Sequence, residues 1–256
     1  MPVSLNFPVS SLLAFLAVLA RVSGALAFVP LPGFRQGPQA ARVVLALAAT
    51  VLLYPSWPRV TEGWTPWRLI SVLVLEAAVG IGFGLMASFM SEAFQLAAQA
   101  VGLQAGYAYA SMVDPQTQAD SGILLILAQL AAGLLFFAFG LDRQVIRAFA
   151  RSLETVPPGA WFASGAAWEA LARTSAAMFT TGVRLALPVL ALLALTDLAL
   201  ALLGRVNAQL QLLTLSFPVK MLAALAVMAA LAPVFVRVLG SYAGQVSSGL
   251  RVMAGG

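Results

Sequence analysis

The sequence predicts an all-α integral membrane protein, built as helical hairpins from about six hydrophobic segments. Three observations predict it. Hydrophobic residues make up 61% of the 256 positions and charged residues only 9%, whereas a soluble domain carries about a quarter charged residues. The mean hydropathy is +0.95, so a soluble fold of this size lacks the polar surface to cover itself. The apolar runs are rich in Leu and Ala and show no ten-residue alternation of the β-barrel kind. Backbone in lipid must satisfy its own hydrogen bonds, which selects helices over open sheet.

The segments fall near 9–29, 39–55, 69–90, 122–141, 176–203 and 212–236. The first includes an apolar run, Leu12–Ala20, and an Ala25-Leu26-Ala27 that imitates a signal-cleavage site. No basic residue precedes that run and Arg21 follows it, so it reads as a retained span. Pro30-Leu31-Pro32-Gly33 marks a sharp turn to the second segment. Pro55, Pro58 and Pro66 accompany Trp57, Trp64 and Trp67, a pattern resembling an interfacial aromatic belt. Asp142–Val156 reads as an amphipathic helix. Val145, Ile146, Phe149, Leu153 and Val156 lie mostly to one side, and Arg143, Arg147, Arg151 and Glu154 lie opposite. A helix lying on the membrane surface and a partner-docking helix both fit it. Pro157-Pro158-Gly159 ends it.

Simple alternation of six spans puts Arg59, Arg68, Arg143, Arg147, Arg151, Arg173, Arg237 and Arg251 on one side. Arg35, Arg42 and Arg205 fall on the other. The arginine-rich side, with both termini, is then cytoplasmic. The net charge of +5 is spread over scattered arginines and one lysine, which is no nucleic-acid patch. The chain has no Cys and no His. Disulfides, thiol nucleophiles, the usual zinc chemistry and imidazole proton transfer are thereby excluded, and neither a metal nor a cofactor is expected.

Charges inside apolar segments must face protein, water or each other. Arg21, Glu76, Arg184, Asp197 and Lys220 are such buried charges. Asp197 and Lys220 lie at similar distances from the turn near Asn207–Gln209, so an antiparallel hairpin brings them to similar depth, either as a pair or against other elements. Pro188 and Pro218 stand near Arg184 and Lys220. They either free carbonyls to line a cavity, as in transporters, or kink a packing helix. Gly80-Ile81-Gly82-Phe83-Gly84 contains a GxxxG spacing of the kind that lets membrane helices approach closely.

Ser88, Glu92, Gln95 and Gln99 fall at about 0°, 40°, −20° and 20° around a helix. That narrow polar stripe faces either an aqueous lumen or ordinary solvent. It leads into the polar insertion Gly102–Gly122, GLQAGYAYASMVDPQTQADSG. The insertion has glycines for backbone freedom, Asp114-Pro115 to stop a helix, and Tyr107, Tyr109 and Met112 as bulky, deformable surface. It lacks a base, a nucleophile or metal-ligand spacing, which suits a flexible stopper and not an active site.

Five blocks together resemble the FliR family of flagellar type III export-gate proteins, related to SctT of injectisomes. They are Ala20-Arg21-Val22-Ser23-Gly24; Gly102–Pro115; Gly182-Val183-Arg184-Leu185-Ala186-Leu187-Pro188; Asp197-Leu198-Ala199-Leu200; and Phe217-Pro218-Val219-Lys220. Their order and spacing cover nearly the whole chain. The resemblance implies a FliP-like part over about 1–175, followed by a FliQ-like part over 176–256. It implies assembly with FliP and FliQ into a cone-like gate for unfolded flagellar subunits, with FlhB and FlhA as neighbours, in the bacterial inner membrane at the flagellar basal body. It also implies that hydrophobic segments are lifted out of the simple bilayer arrangement. The loop at Gly106–Gly122 would be a pore plug, a role carried onto Gly106, Tyr107, Tyr109, Met112, Asp114 and Pro115. The residues themselves leave a secondary transporter for a small solute as the competing reading. An enzyme is disfavoured, and so is any energy source within the chain, since no GxxxxGK[ST] phosphate loop is present.

Overall fold

A computed structural model describes residues 9–30, 39–58, 64–107, 123–156, 158–159, 165–206 and 212–255. Among these residues the fold is helical, with no strand. Seven helices follow in order: α1 (Val9–Leu26), α2 (Gln39–Leu52), α3 (Pro66–Ala105), α4 (Ile123–Ala138), α5 (Leu141–Thr155), α6 (Gly165–Val206) and α7 (Leu212–Met253). A one-turn 3-10 helix, Tyr54–Ser56, follows α2.

All six apolar segments form helices, but not six spans. Four helices among the described residues are long and apolar enough to cross a membrane: α1, α3, α6 and most of α7. The bent pair of α4 and α5 adds a fifth if read as one broken span. The other two segments are shorter as helices: α2 has 14 residues and α4 has 16, against the ~20 that a bilayer needs. Conversely α3, α6 and α7 run for 40, 42 and 42 residues, well past the ends read from hydrophobicity alone. At 1.5 Å per residue each is about 60 Å long, roughly twice the hydrocarbon core. Both α6 and α7 continue through their internal prolines, Pro188 in one and Pro218 and Pro233 in the other. They are not the interrupted half-helices from which transporters build solute sites.

The chain divides into two compact units. The first holds Met1–Phe89, Gly140–Ser175 and Gly244–Gly256. Its centre is the crossing of α1 and α3. A Cβ on Gly80 would meet the Arg21 carbonyl, one on Gly24 the Ala77 carbonyl, and one on Gly84 the Ala25 carbonyl. The GxxxG spacing is thus a seam where two backbones touch. Ala14, Ala17, Val18, Val22 and Ala25 of α1 are buried there, with Val79, Phe83, Met86 and Ala87 of α3.

Helix α5 packs on the same unit. Leu141, Val145, Ala148, Phe149 and Leu153 are buried, and Phe149 meets Phe83 edge-on, with ring centroids 5.7 Å apart. Most of its apolar face is therefore covered by protein, and Ile146 stays exposed. The arginine face points outward. Of the tryptophans read as a belt, Trp57 packs on Phe15 and donates its indole N–H to the Thr50 carbonyl at 3.0 Å, whereas Trp67 is exposed.

The second unit holds Met90–Phe139 and Ala176–Ala243. Its core combines Met90, Phe94, Ala97 and Val101 with Ala128, Ala132 and Phe136, and with Leu185, Val189 and Leu193. Phe94 meets Phe235 edge-on. Gly182 packs against the Ala93 carbonyl and the Leu96 side chain, so α6 and the last part of α3 also approach through a residue without a side chain.

Candidate functional site at the base of the polar loop

The polar insertion leaves α3 through a fixed helix end. Gly106 adopts φ +86°. The Tyr107 N–H donates to the Gly102 carbonyl at 3.0 Å and the Gly106 N–H to the Leu103 carbonyl at 3.3 Å. This pair of bonds is the Schellman ending, which requires a left-handed residue and so favours glycine. Space requires it too: a Cβ on Gly106 would lie 2.6 Å from the Phe217 ring.

Two contacts fasten this helix end to the hairpin of α6 and α7, and a third joins the hairpin's own helices. Gln104 Nε2 donates to Asp197 Oδ2 at 3.0 Å. Lys220 Nζ lies 2.8 Å from Asp197 Oδ1. The Tyr107 hydroxyl donates to the Met221 carbonyl at 3.1 Å. Burial pushes the Tyr107 phenol above its ordinary value, so it stays a neutral donor at physiological pH. Asp197 thus joins both helices of the hairpin to the loop's root through charge-assisted bonds. Reversing one charge, as in Asp197→Lys, removes an attraction worth about 1 kcal/mol at this exposure and adds like-charge repulsion. Asp197→Lys combined with Lys220→Asp is expected to recover what either reversal loses, read as protein level and export in cells lacking their own copy. No recovery in the double reversal would contradict the pairing.

The remaining plug candidates, Tyr109, Met112, Asp114 and Pro115, lie outside the described residues. The polar stripe does not face water along its length. Ser88 and Gln95 are buried, Glu92 is half-buried and only Gln99 is exposed. Gln95 Oε1 accepts from Gln129 Nε2 of α4 at 3.3 Å, and the Ser88 hydroxyl bonds back to the Leu85 carbonyl. Helical phase put the four on one face, but neighbouring helices cover part of that face.

The charges read as buried divide as well. Arg184 is exposed and Asp197 and Lys220 are half-buried. In the single chain the outer side of α6 has nothing over it at Arg184. Arg21 and Glu76 are fully buried and form an ion pair at 2.5 Å. The Arg21 guanidinium also donates to the Ser152 carbonyl at 2.9 Å and to the Val156 carbonyl at 3.4 Å. Glu76 Oε1 accepts from the Gly159 N–H at 3.0 Å. One cation thus caps the end of α5, where free carbonyls concentrate negative potential, and its counter-ion holds the turn beyond. The sequence reading missed this node because 55 residues separate its partners. It also gave Gln104 no role, although that residue stands inside the quoted loop block.

The arrangement is a clasp, suited to holding a segment in place or releasing it.

The model of the bacterial export proteins, family 1, matches residues 12–246. The flagellar biosynthetic protein FliR of Escherichia coli is 29% identical over 215 residues, 84% of this chain and 82% of its own length. That of Pectobacterium carotovorum is 30% identical over 207 residues, 80% and 77% of the two chains. That of Bacillus subtilis is 27% identical over 210 residues, 81% of each. A match running from α1 almost to the end of α7, across both units and the clasp, leaves a plain conclusion: this chain belongs to the family of bacterial export proteins, family 1.

Proposed function

We propose that the chain is a non-catalytic, structural subunit of the flagellar type III protein export gate, in the bacterial inner membrane at the basal body. It would assemble with FliP and FliQ, beside FlhB and FlhA, around a path for unfolded flagellar subunits. Residues 1–175 would play the FliP-like part and 176–256 the FliQ-like part. The segment from Gly106 to Gly122 would be the plug. The observation that carries this reading is the clasp at Gln104, Gly106 and Tyr107. It holds the root of a polar, aromatic loop rigidly against α6 and α7 while offering no group for catalysis. Helices about twice as long as a bilayer is thick support an assembly that stands partly clear of the membrane.

Deleting Tyr107–Val113 tests the plug directly. Cells co-expressing the shortened chain with FliP and FliQ are expected to become permeable to ions or small solutes. An assembled deletion complex with unchanged conductance would refute the assignment. The subunit reading has its own test. Purified in mild detergent after co-expression, the chain is expected in a large hetero-oligomer with FliP and FliQ. A stable monomer that binds a solute would instead support the transporter.

A further inference from the structure

We propose that the outward face of α5, with Tyr54 and Trp67 beside it, is a binding surface for anionic phospholipid headgroups. Arg143, Arg147 and Arg151 recur every fourth residue and are all exposed. None has a side-chain partner among the described residues. With Leu141, Val145, Ala148, Phe149 and Leu153 buried, these guanidiniums share the exposed side of α5 with Ile146, Glu154 and Thr155. They spread over about 12 Å of the helix axis, with neighbours well within a Debye length of each other.

The layered order of the surrounding surface identifies the occupant. Helix α2 exposes Val44, Leu47, Val51 and Leu52 and ends at Tyr54, which is 66% exposed. The Ser56 hydroxyl of that turn bonds to Glu154 Oε1 at 3.0 Å, which holds the turn to the last part of α5. Near the start of α3, Val74 and Ile70 are exposed and lead down to Trp67, which is 79% exposed beside exposed Arg68. Gly159, four residues beyond α5, sits against Val72 and Leu75, so the turn after α5 meets α3 about 7.5 Å along its axis from Trp67. On both helices exposed apolar surface thus ends in an exposed aromatic residue, in the same unit as the arginine face of α5. This is the sequence of acyl chain, interface and phosphate in a leaflet. An acidic protein surface would call for charge complementarity but not for that layering.

The test is native mass spectrometry of the full chain in mild detergent, with any co-purifying subunits, titrated separately with phosphatidylglycerol and phosphatidylcholine. Phosphatidylglycerol is expected to bind preferentially, and added salt should weaken the preference. Each arginine is expected to contribute about fivefold at most. The triple variant Arg143→Gln, Arg147→Gln, Arg151→Gln should bring the preference close to one. The matching triple lysine variant should retain most of it. Equal binding of the two lipids by the native chain overturns the proposal, as does a glutamine variant that keeps its preference. A glutamine variant that loses a co-purifying subunit but not its lipid preference also overturns it, assigning the face to an acidic protein. If the triple variant cannot be recovered folded, Arg147→Gln alone must lower the preference; no change in that variant overturns the proposal equally.

Discussion

Arg21→Met is expected to destabilise the chain by about 3–5 kcal/mol, the cost of leaving one partner of a buried ion pair alone. Glu76 would keep its bond from Gly159 but lose its counter-ion, and the Ser152 and Val156 carbonyls would lose their donor. Glu76→Gln is expected to cost less, because the amide oxygen still accepts from the Gly159 N–H. Combining the two should cost clearly less than their sum, since the second change removes a charge that the first has stranded. Arg21→Lys separates charge from shape. It keeps the cation but not the planar fork that reaches Glu76, Ser152 and Val156 at once, so a loss of about 2 kcal/mol is expected. Thermal unfolding of the full-length variants in one detergent measures all four. Additive single and double effects, or a lysine variant equal to the native chain, would show that the pair is incidental to stability.

Gly80→Ala is expected to destabilise by about 3 kcal/mol, although a methyl group is the smallest side chain available. Its Cβ would run into the Arg21 carbonyl on α1. Backbone cannot rotate away as a side chain can, so the helices must separate along the seam that Gly24 and Gly84 also line. Separation would in turn pull Arg21 from Glu76, which makes this the second large effect. The control is Gly244→Ala in α7, where a Cβ meets nothing within 4 Å. There alanine should stabilise by about 0.5–1 kcal/mol through reduced backbone freedom in the unfolded chain. Opposite signs at two helical glycines, read as melting temperatures, are the expected result. A stable Gly80→Ala protein would show that the α1–α3 crossing is looser than described.

Much of the fold was legible because it is local. The apolar segments and the amphipathic character of α5 are written in runs and periods. The meeting of Asp197 and Lys220 was also accessible. A hairpin has one turn, so counting outward from it gives both residues a common depth. Arg21 and Glu76 sit on helices that are not consecutive and share no such origin. Only packing could bring them together.

The sequence by itself determined a helical membrane chain resembling the export family, its apolar segments and the amphipathic character of α5. Tertiary structure alone decided what covers each face. It turned the apolar side of α5 onto protein, buried Ser88 and Gln95 within a stripe that looks uniformly wet, left Arg184 exposed, and extended three helices far beyond their apolar cores. The physical reason is that periodicity records the polarity of a surface but not its neighbour. Lipid, water and protein compete for that surface, and the choice rests on contacts between residues far apart in the chain.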